Sequence, residues 1–156
     1  APGNSIGTLT VDGDYTQLAG STYEAEIDPD GSSDLIDVTG AAGIEGGTVF
    51  ALKAPGGYDT GTRYTILTAA GGVTGTYGTL DQNAPFVDLS LAYDPNAVYL
   101  DVARNDASFC DVAISANQCA VGDGAEGQGP GNPIYDAIVG LPDEETAPGC
   151  LRSAFW

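Results

Sequence analysis

The sequence has no histidine and no methionine, and only four of its 156 residues are lysine or arginine. Without histidine, neither a histidine-dependent catalytic triad nor a histidine-ligated metal site can form within the chain. The 22 acidic residues give a formal net charge of −18, a field that repels phosphate backbones. No apolar run approaches the roughly 20 residues of a membrane-spanning helix. We therefore expect no nucleic-acid partner and no cofactor.

Glycine, threonine, aspartate and asparagine are frequent, and they predict many short strands joined by turns. Alternating apolar and polar residues place strands near 8–11, 21–27, 34–39, 47–53, 63–68, 73–77, 86–93 and 97–103. The positions predicted to face the core are Leu9, Val11, Ile27, Tyr64, Ile66, Val98, Leu100 and Val102. A sandwich, a jelly roll and a solenoid all fit this pattern, and a recurring Gly-Thr-aliphatic unit, as at Gly7-Thr8-Leu9, favours stacked coils.

The character of the chain changes after Arg104. Residues 105–132 are rich in glycine and aspartate and show no alternation, which predicts a flexible linker around one short helix near 115–121. A second helical segment is predicted to start at Pro133. The sequence thus predicts two parts: an all-β domain over 1–104, and a linker with a short helical C-terminal segment over 105–156.

Eight sequence strings, in this order, resemble one protein family. They are GTLTVDGDYTQ, STYE, SDLIDVTG, GGTVFAL, GTRYTILTAAGGVTGTY, LAYDPNAVYLDVAR, NQCAV and GNPIYDAIVGL, and the resemblance covers residues 7–147. In this order they resemble the C-terminal passenger region of type V secretion autotransporters, called the autochaperone or junction region, without the β-barrel that follows it in the family.

The resemblance implies a fold, a role and a location. The fold would be the end of a right-handed parallel β-helix closed by a hairpin-like cap. The role would be structural and not enzymatic: a folding nucleus and stability cap for a passenger exported across the outer membrane to the surface of a Gram-negative bacterium. The implied partners are the upstream coils and the outer-membrane barrel of the same precursor. The uncovered N-terminal edge is in addition expected to allow self-association.

An alternative function comes from the acidic turn at 28–34. Asp28, Asp30 and Asp34 alternate around a glycine turn, and carboxylate oxygens are the ligands that Ca²⁺ prefers. The alternative is therefore a calcium-dependent or polysaccharide-binding adhesive module, although the turn lacks the bidentate glutamate of an EF-hand loop.

The three cysteines allow one internal disulfide at most. Cys110 and Cys119 are the nearest pair in the sequence, and export would bring them to an oxidising compartment. The alternative is two free thiols in a mobile segment.

The final eight residues, Gly149–Trp156, do not resemble the family. One possible coding string for them, shifted by one base, reads Ala-Ala-Phe-Asp-Gln-Leu-Ser-Gly, which is close to the family's sequence at this point. We therefore expect the chain to be out of frame after about residue 147, with no evolved role for Cys150; a divergent natural C-terminus is the alternative.

Overall fold

The computed structural model describes residues 5–54, 56–82 and 86–140. The chain is mostly β-structure with parallel sheets, as the composition predicts, and two short helices follow the strands. The strands are β1 Thr8–Val11, β2 Tyr15–Gln17, β3 Thr22–Ile27, β4 Leu35–Val38, β5 Ala42–Ile44, β6 Thr48–Lys53, β7 Arg63–Ala69, β8 Val73–Gly75, β9 Thr79–Gln82, β10 Val87–Asp94 and β11 Ala97–Arg104. The helices are α1 Ala116–Glu126 and α2 Pro133–Val139. The expected frame change after residue 147 and Cys150 lie outside the described residues.

The first nine strands form three successive triplets: β1–β3, β4–β6 and β7–β9. Each strand of a triplet pairs in parallel with its counterpart in the next, which gives one sheet containing β1-β4-β7, one of β2-β5-β8 and one of β3-β6-β9. Residues in equivalent positions therefore stack on one another, as Leu9, Ile36 and Leu67 do in the first sheet. The repeat follows these positions and not the Gly-Thr-aliphatic unit of the sequence.

The last two strands reverse the direction of pairing. β11 pairs with β7 antiparallel, with a register shift between Val98 and Tyr99, and β10 lies outside β11, so the first sheet has the order β1-β4-β7-β11-β10. A two-residue turn, Pro95-Asn96, joins β10 to β11. The Asn96 side-chain amide donates to the carbonyl of Ala69 at 2.7 Å, which fixes the turn against the end of β7.

The chain divides into two compact units. Among the described residues, the first comprises 5–54, 62–82 and 89–101, and the second comprises 56–61, 86–88 and 102–140. The sequence-based boundary after Arg104 thus differs from the structural one, which follows Asp101 and also assigns two internal segments to the second unit.

The core of the first unit contains most of the inward positions predicted from the alternation. Ile27, Tyr64, Ile66, Val98 and Leu100 are buried. The prediction for Leu9 is wrong, because 46% of its surface is exposed, and Val11 is only half-buried. Both belong to β1, where no described strand stacks on the outer side.

The second unit has its own apolar core, which corrects the prediction of a flexible linker over 105–132. Phe109 is fully buried and packs against Phe86 and Tyr135, with ring centroids 4.9 Å and 5.3 Å apart. Val102 is also buried. The glycine-rich residues 122–126 are helical, because α1 continues to Glu126. In the described part of the chain, neither helix has the length and apolarity that crossing a membrane requires.

Candidate functional site

The outer edge of the first triplet is the most distinctive surface of the first unit. β1, β2 and β3 are each the terminal strand of their sheet among the described residues. A terminal strand presents unpaired N–H and C=O groups, which pair readily with a further strand. Three such strands at the same end of three sheets form one continuous surface for strand addition, which we call the first-triplet edge.

Apolar side chains on this edge lack the cover that their counterparts have. Leu9 stacks on Ile36, which stacks on Leu67, and the latter two are buried. Leu9 faces the same side as they do, yet 46% of it is exposed. Leu18, which follows β2, is 58% exposed. A further strand stacked on β1 would bury Leu9 as β1 buries Ile36.

A buried carboxylate fixes the ends of the first triplet. Asp34, immediately before β4, accepts from the N–H of Gly7 at 2.8 Å through Oδ1 and from the N–H of Glu26 at 3.1 Å through Oδ2. Gly7 immediately precedes β1, and Glu26 lies in β3. Asp34 is completely buried, and its two charge-assisted bonds to half-buried residues hold β1 and β3 relative to β4.

Two tyrosines tie the first triplet to the third. The Tyr23 hydroxyl donates to the carbonyl of Ile66 at 3.0 Å, and the Tyr64 hydroxyl donates to the carbonyl of Asp28 at 2.8 Å. Burial, followed by the negative charge of Asp34, raises the pKa of Tyr23 well above its ordinary value. Tyr23 therefore remains a neutral hydrogen-bond donor over the whole physiological range.

The corner between β2 and β3 is held by polar side chains. The Tyr15 hydroxyl donates to the Gln17 amide oxygen, and the Gln17 amide nitrogen donates to the Ser21 hydroxyl. Ser21 in turn donates to the carbonyl of Leu18 at 2.6 Å. Gln17 is buried, so this chain of bonds gives it partners in the core and leaves Leu18 on the outside.

The carboxylates of the acidic turn at 28–34, the candidate calcium ligands of the alternative function, are already engaged in other contacts. Asp28 accepts from the N–H of Asp30, Asp30 accepts from the N–H of Ser32, and both oxygens of Asp34 accept backbone N–H groups. Among the described residues, these three carboxylates do not form a group of ligand atoms close enough to share a metal ion. Their bonds shape the turn and the first triplet instead.

Cys110 and Cys119 are joined by a disulfide in the structure. Together with the Asp123 carboxylate, their sulfurs form the one described group of three potential ligand atoms within 4.8 Å of one another. A thiolate, and not a disulfide sulfur, is the metal ligand, so the group offers no metal site in this oxidised form.

Lys53 is a buried titratable group of the first unit. It lies at the end of β6 on the same face as the buried Val49 and Ala51, and it lines a cleft of about 380 Å³ with Glu26 and Asp28. Burial lowers the pKa of Lys53 to about 8. Its amine is therefore partly uncharged at mildly alkaline pH.

Sequence patterns did not reveal the structural role of Asp34. Its partner Gly7 lies 27 residues away, and no local pattern links a carboxylate to so distant a backbone N–H. The hydrogen bonds from Tyr23 and Tyr64 span 43 and 36 residues and are equally invisible to a local analysis.

Comparison with known proteins gives two relatives and no matching family model. The chain is 35% identical over a 159-residue alignment to an extracellular serine protease of Serratia marcescens, and the alignment covers 94% of the chain and 15% of that protein. It is 29% identical over 157 residues to another extracellular serine protease of Serratia marcescens, covering 93% of the chain and 15% of that protein. The chain therefore spans about 15% of the length of the curated relatives it matches.

Proposed function

We propose that the chain is a non-catalytic structural module, the C-terminal folding nucleus and stability cap of an autotransporter passenger exported across the outer membrane of a Gram-negative bacterium. The three strand triplets are, in this proposal, the last coils of a right-handed parallel β-helix, and β10 and β11 are its cap. The parallel, in-register pairing of all three sheets supports this reading, because each coil of a β-helix stacks on the next in this way.

The observation that carries the proposal is the uncovered first-triplet edge. Leu9 is in register with two buried aliphatic residues and is itself nearly half exposed. In a stack of coils, an aliphatic residue of this kind is exposed only where a coil has no neighbour on one side. In the proposal, a further coil of the passenger stacks on that side. The partner of this edge is therefore the preceding coil of the same precursor, and self-association is the outcome when that coil is missing.

The relatives support the proposed location, and in this proposal any protease activity lies outside the segment that aligns with this chain. Both are named as extracellular, which agrees with a secreted or cell-surface position. Both are also named as serine proteases, but they are several times longer than the aligned segment. Because this chain has no histidine, a histidine-dependent serine triad could not be built from its residues alone.

In addition to the preceding coil, the outer-membrane barrel of the same precursor would be a partner of this module.

If the module is a folding nucleus, local stability should be higher at the capped end of the triplet stack than at the first triplet. In the proposal, the chain emerges C-terminus first, so the end with the cap must order before the first triplet does. The strands β7 and β11 hold Ile66, Val98 and Leu100, all fully buried, whereas β1 has no fully buried residue. Local stability follows the density of buried contacts, so β7 and β11 should be the last strands to open.

Native-state hydrogen exchange tests this order. The amides of 63–69 and 97–101 should exchange at least tenfold more slowly than those of 8–11. A shorter chain ending at residue 82, which lacks the cap, should lose the excess protection in 63–69. If the first triplet is the more protected region, the nucleus lies at the wrong end and the proposal fails.

A further inference from the structure

Helix α1 of the second unit is weak by its own sequence. It has eleven residues, including Gly122 and Gly124 in its interior. Isolated helices shorter than about 12–15 residues are marginal in water, and glycine is among the poorest helix formers. The buried residues of α1 are Gln118, Gly122 and Ala125, none of which is a large apolar side chain. Neither helix propensity nor apolar burial therefore explains why this segment is helical.

The specific contacts of α1 are with the turn at residues 108–112 and with Arg104, and α1 also packs against α2. Glu126, the last residue of α1, accepts from the N–H of Phe109 at 3.0 Å and from Arg104 at 3.2 Å. Gly122 lies so close to Phe109 that an added Cβ would be 3.1–3.2 Å from its atoms. The C-terminal half of α1 is thus held against Phe109 by one carboxylate and one close backbone approach.

The N-terminal half is held by a covalent bond to the same turn. Cys119 of α1 is bonded to Cys110, which follows Phe109 directly. We propose that α1 is a redox-conditional helix: the Cys110–Cys119 disulfide is required for α1 to dock on Phe109, and the dithiol form leaves it undocked. This inference concerns the second unit alone and does not rest on the proposed function of the first-triplet edge.

The chemistry of the switch is thiol–disulfide exchange. Oxidation joins the two sulfurs and removes two protons and two electrons, which a disulfide oxidant such as glutathione disulfide accepts by becoming two thiols. Reduction by a dithiol reverses the step. The sulfurs are only partly buried, so both reagents can reach them. Undocking would uncover the ring of Phe109, which is buried in the oxidised form.

Loop-closure entropy sets the size of the effect. The cysteines are nine positions apart. Cross-linking a loop of about this length shifts the equilibrium between the undocked and the docked form of the enclosed segment by about 100-fold. Because α1 buries no large apolar side chain, a shift of this size should take it from mostly docked to mostly undocked when the bond is reduced.

The test is hydrogen exchange of the full chain with and without reductant. Cys150, outside the described residues, is first replaced by serine so that only one cysteine pair is present. In this background, reduction should raise the exchange rates of amides in 119–126 by about 100-fold. Exchange in 63–69 and 97–101 of the first unit should change by less than threefold, and glutathione disulfide should restore the original rates. The C110S/C119S double variant without reductant should behave as the reduced protein does.

Two results would overturn the inference. If α1 keeps its protection after reduction to within threefold, the helix docks without the disulfide. If 63–69 loses its protection together with α1, the disulfide stabilises the whole chain and is not a switch for one helix. Mass spectrometry of the thiol state in each sample separates a true negative from incomplete reduction.

Discussion

Replacing Asp34 with asparagine isolates the contribution of one buried carboxylate to the first triplet. The substitution keeps the size and shape of the side chain. It leaves one oxygen to accept from either Gly7 or Glu26, and it places an NH₂ group, a donor, opposite the other backbone N–H. One backbone N–H of a half-buried residue thereby loses its partner, at the point where the chain enters β1 or within β3.

The expected loss can be worked from the two bonds. A hydrogen bond to a charged acceptor contributes about 1.5–3 kcal/mol, and an unsatisfied buried donor costs about 1–3 kcal/mol. Removing the charge also relieves part of its burial penalty, which offsets some of the loss. We expect a net destabilisation of roughly 2–3 kcal/mol, which lowers the Tm of a domain of this size by roughly 4–12 °C.

The assay is thermal unfolding followed by near-ultraviolet circular dichroism, which reports the buried tyrosines of the first unit. Asp30→Asn is the matched control, because Asp30 is exposed, accepts one N–H from Ser32, and asparagine forms the same turn bond. The control should stay within about 0.5 kcal/mol of the parent. If Asp34→Asn unfolds at the same temperature as Asp30→Asn, the proposed clamp does not stabilise the first triplet.

Three further measurements test other parts of the structure. Ile66→Asp places an unpaired charge at a buried position of β7 and should unfold the first unit. Thr65→Asp, on the other face of the same strand, should change the stability little. Equal effects of the two variants in urea unfolding would refute the assigned facing of the strand. The pKa of Lys53 is about 8 in the folded chain and near 10.5 when unfolded, so unfolding takes up a proton between these values. Stability should therefore rise from about pH 8 to pH 10, above which ionisation of tyrosines such as Tyr23 in the unfolded chain reverses the trend. Lys53→Met should abolish the rise, and an unchanged urea midpoint from pH 7.5 to 9.5 in the parent would contradict the assignment. Millimolar Ca²⁺ should leave the Tm unchanged, because the oxygens of Asp34 already accept backbone N–H groups; a rise of several degrees would revive the calcium alternative.

Eight of the strands could be predicted from the sequence, whereas β2, β5 and β9 could not. Alternation over six to eight residues marked β3, β6, β7 and β11, because each has one face in the core. The three-residue strands β2 and β5 are too short for any alternation to be recognised, and Gly43 interrupts β5. Without them, the repeating triplet is not visible in the sequence.

Burial and long-range hydrogen bonds depend on contacts between residues far apart in the sequence, so local sequence patterns do not predict them. Leu9 has the right sequence pattern for a core position, but its burial depends on a strand that would have to stack on β1. The acidic neighbours of Asp34 in the sequence suggested calcium only as an alternative, whereas its carboxylate accepts from two backbone N–H groups, one of them 27 residues away. Residues 105–132 resemble a linker in composition, but Phe109 and the disulfide order them through contacts that composition does not encode.

The antiparallel hairpin has a consequence for the symmetry of any assembly. Among the described residues, β10 and β11 extend one sheet by two strands beyond β7, about 10 Å, while β8 and β9 are the last strands of the other two sheets. The two ends of the triplet stack are therefore mismatched, and head-to-tail addition cannot continue all three sheets at once. Two first-triplet edges, in contrast, match each other about a two-fold axis. Self-association of the chain should accordingly close at a dimer with an isologous interface and not propagate into a filament.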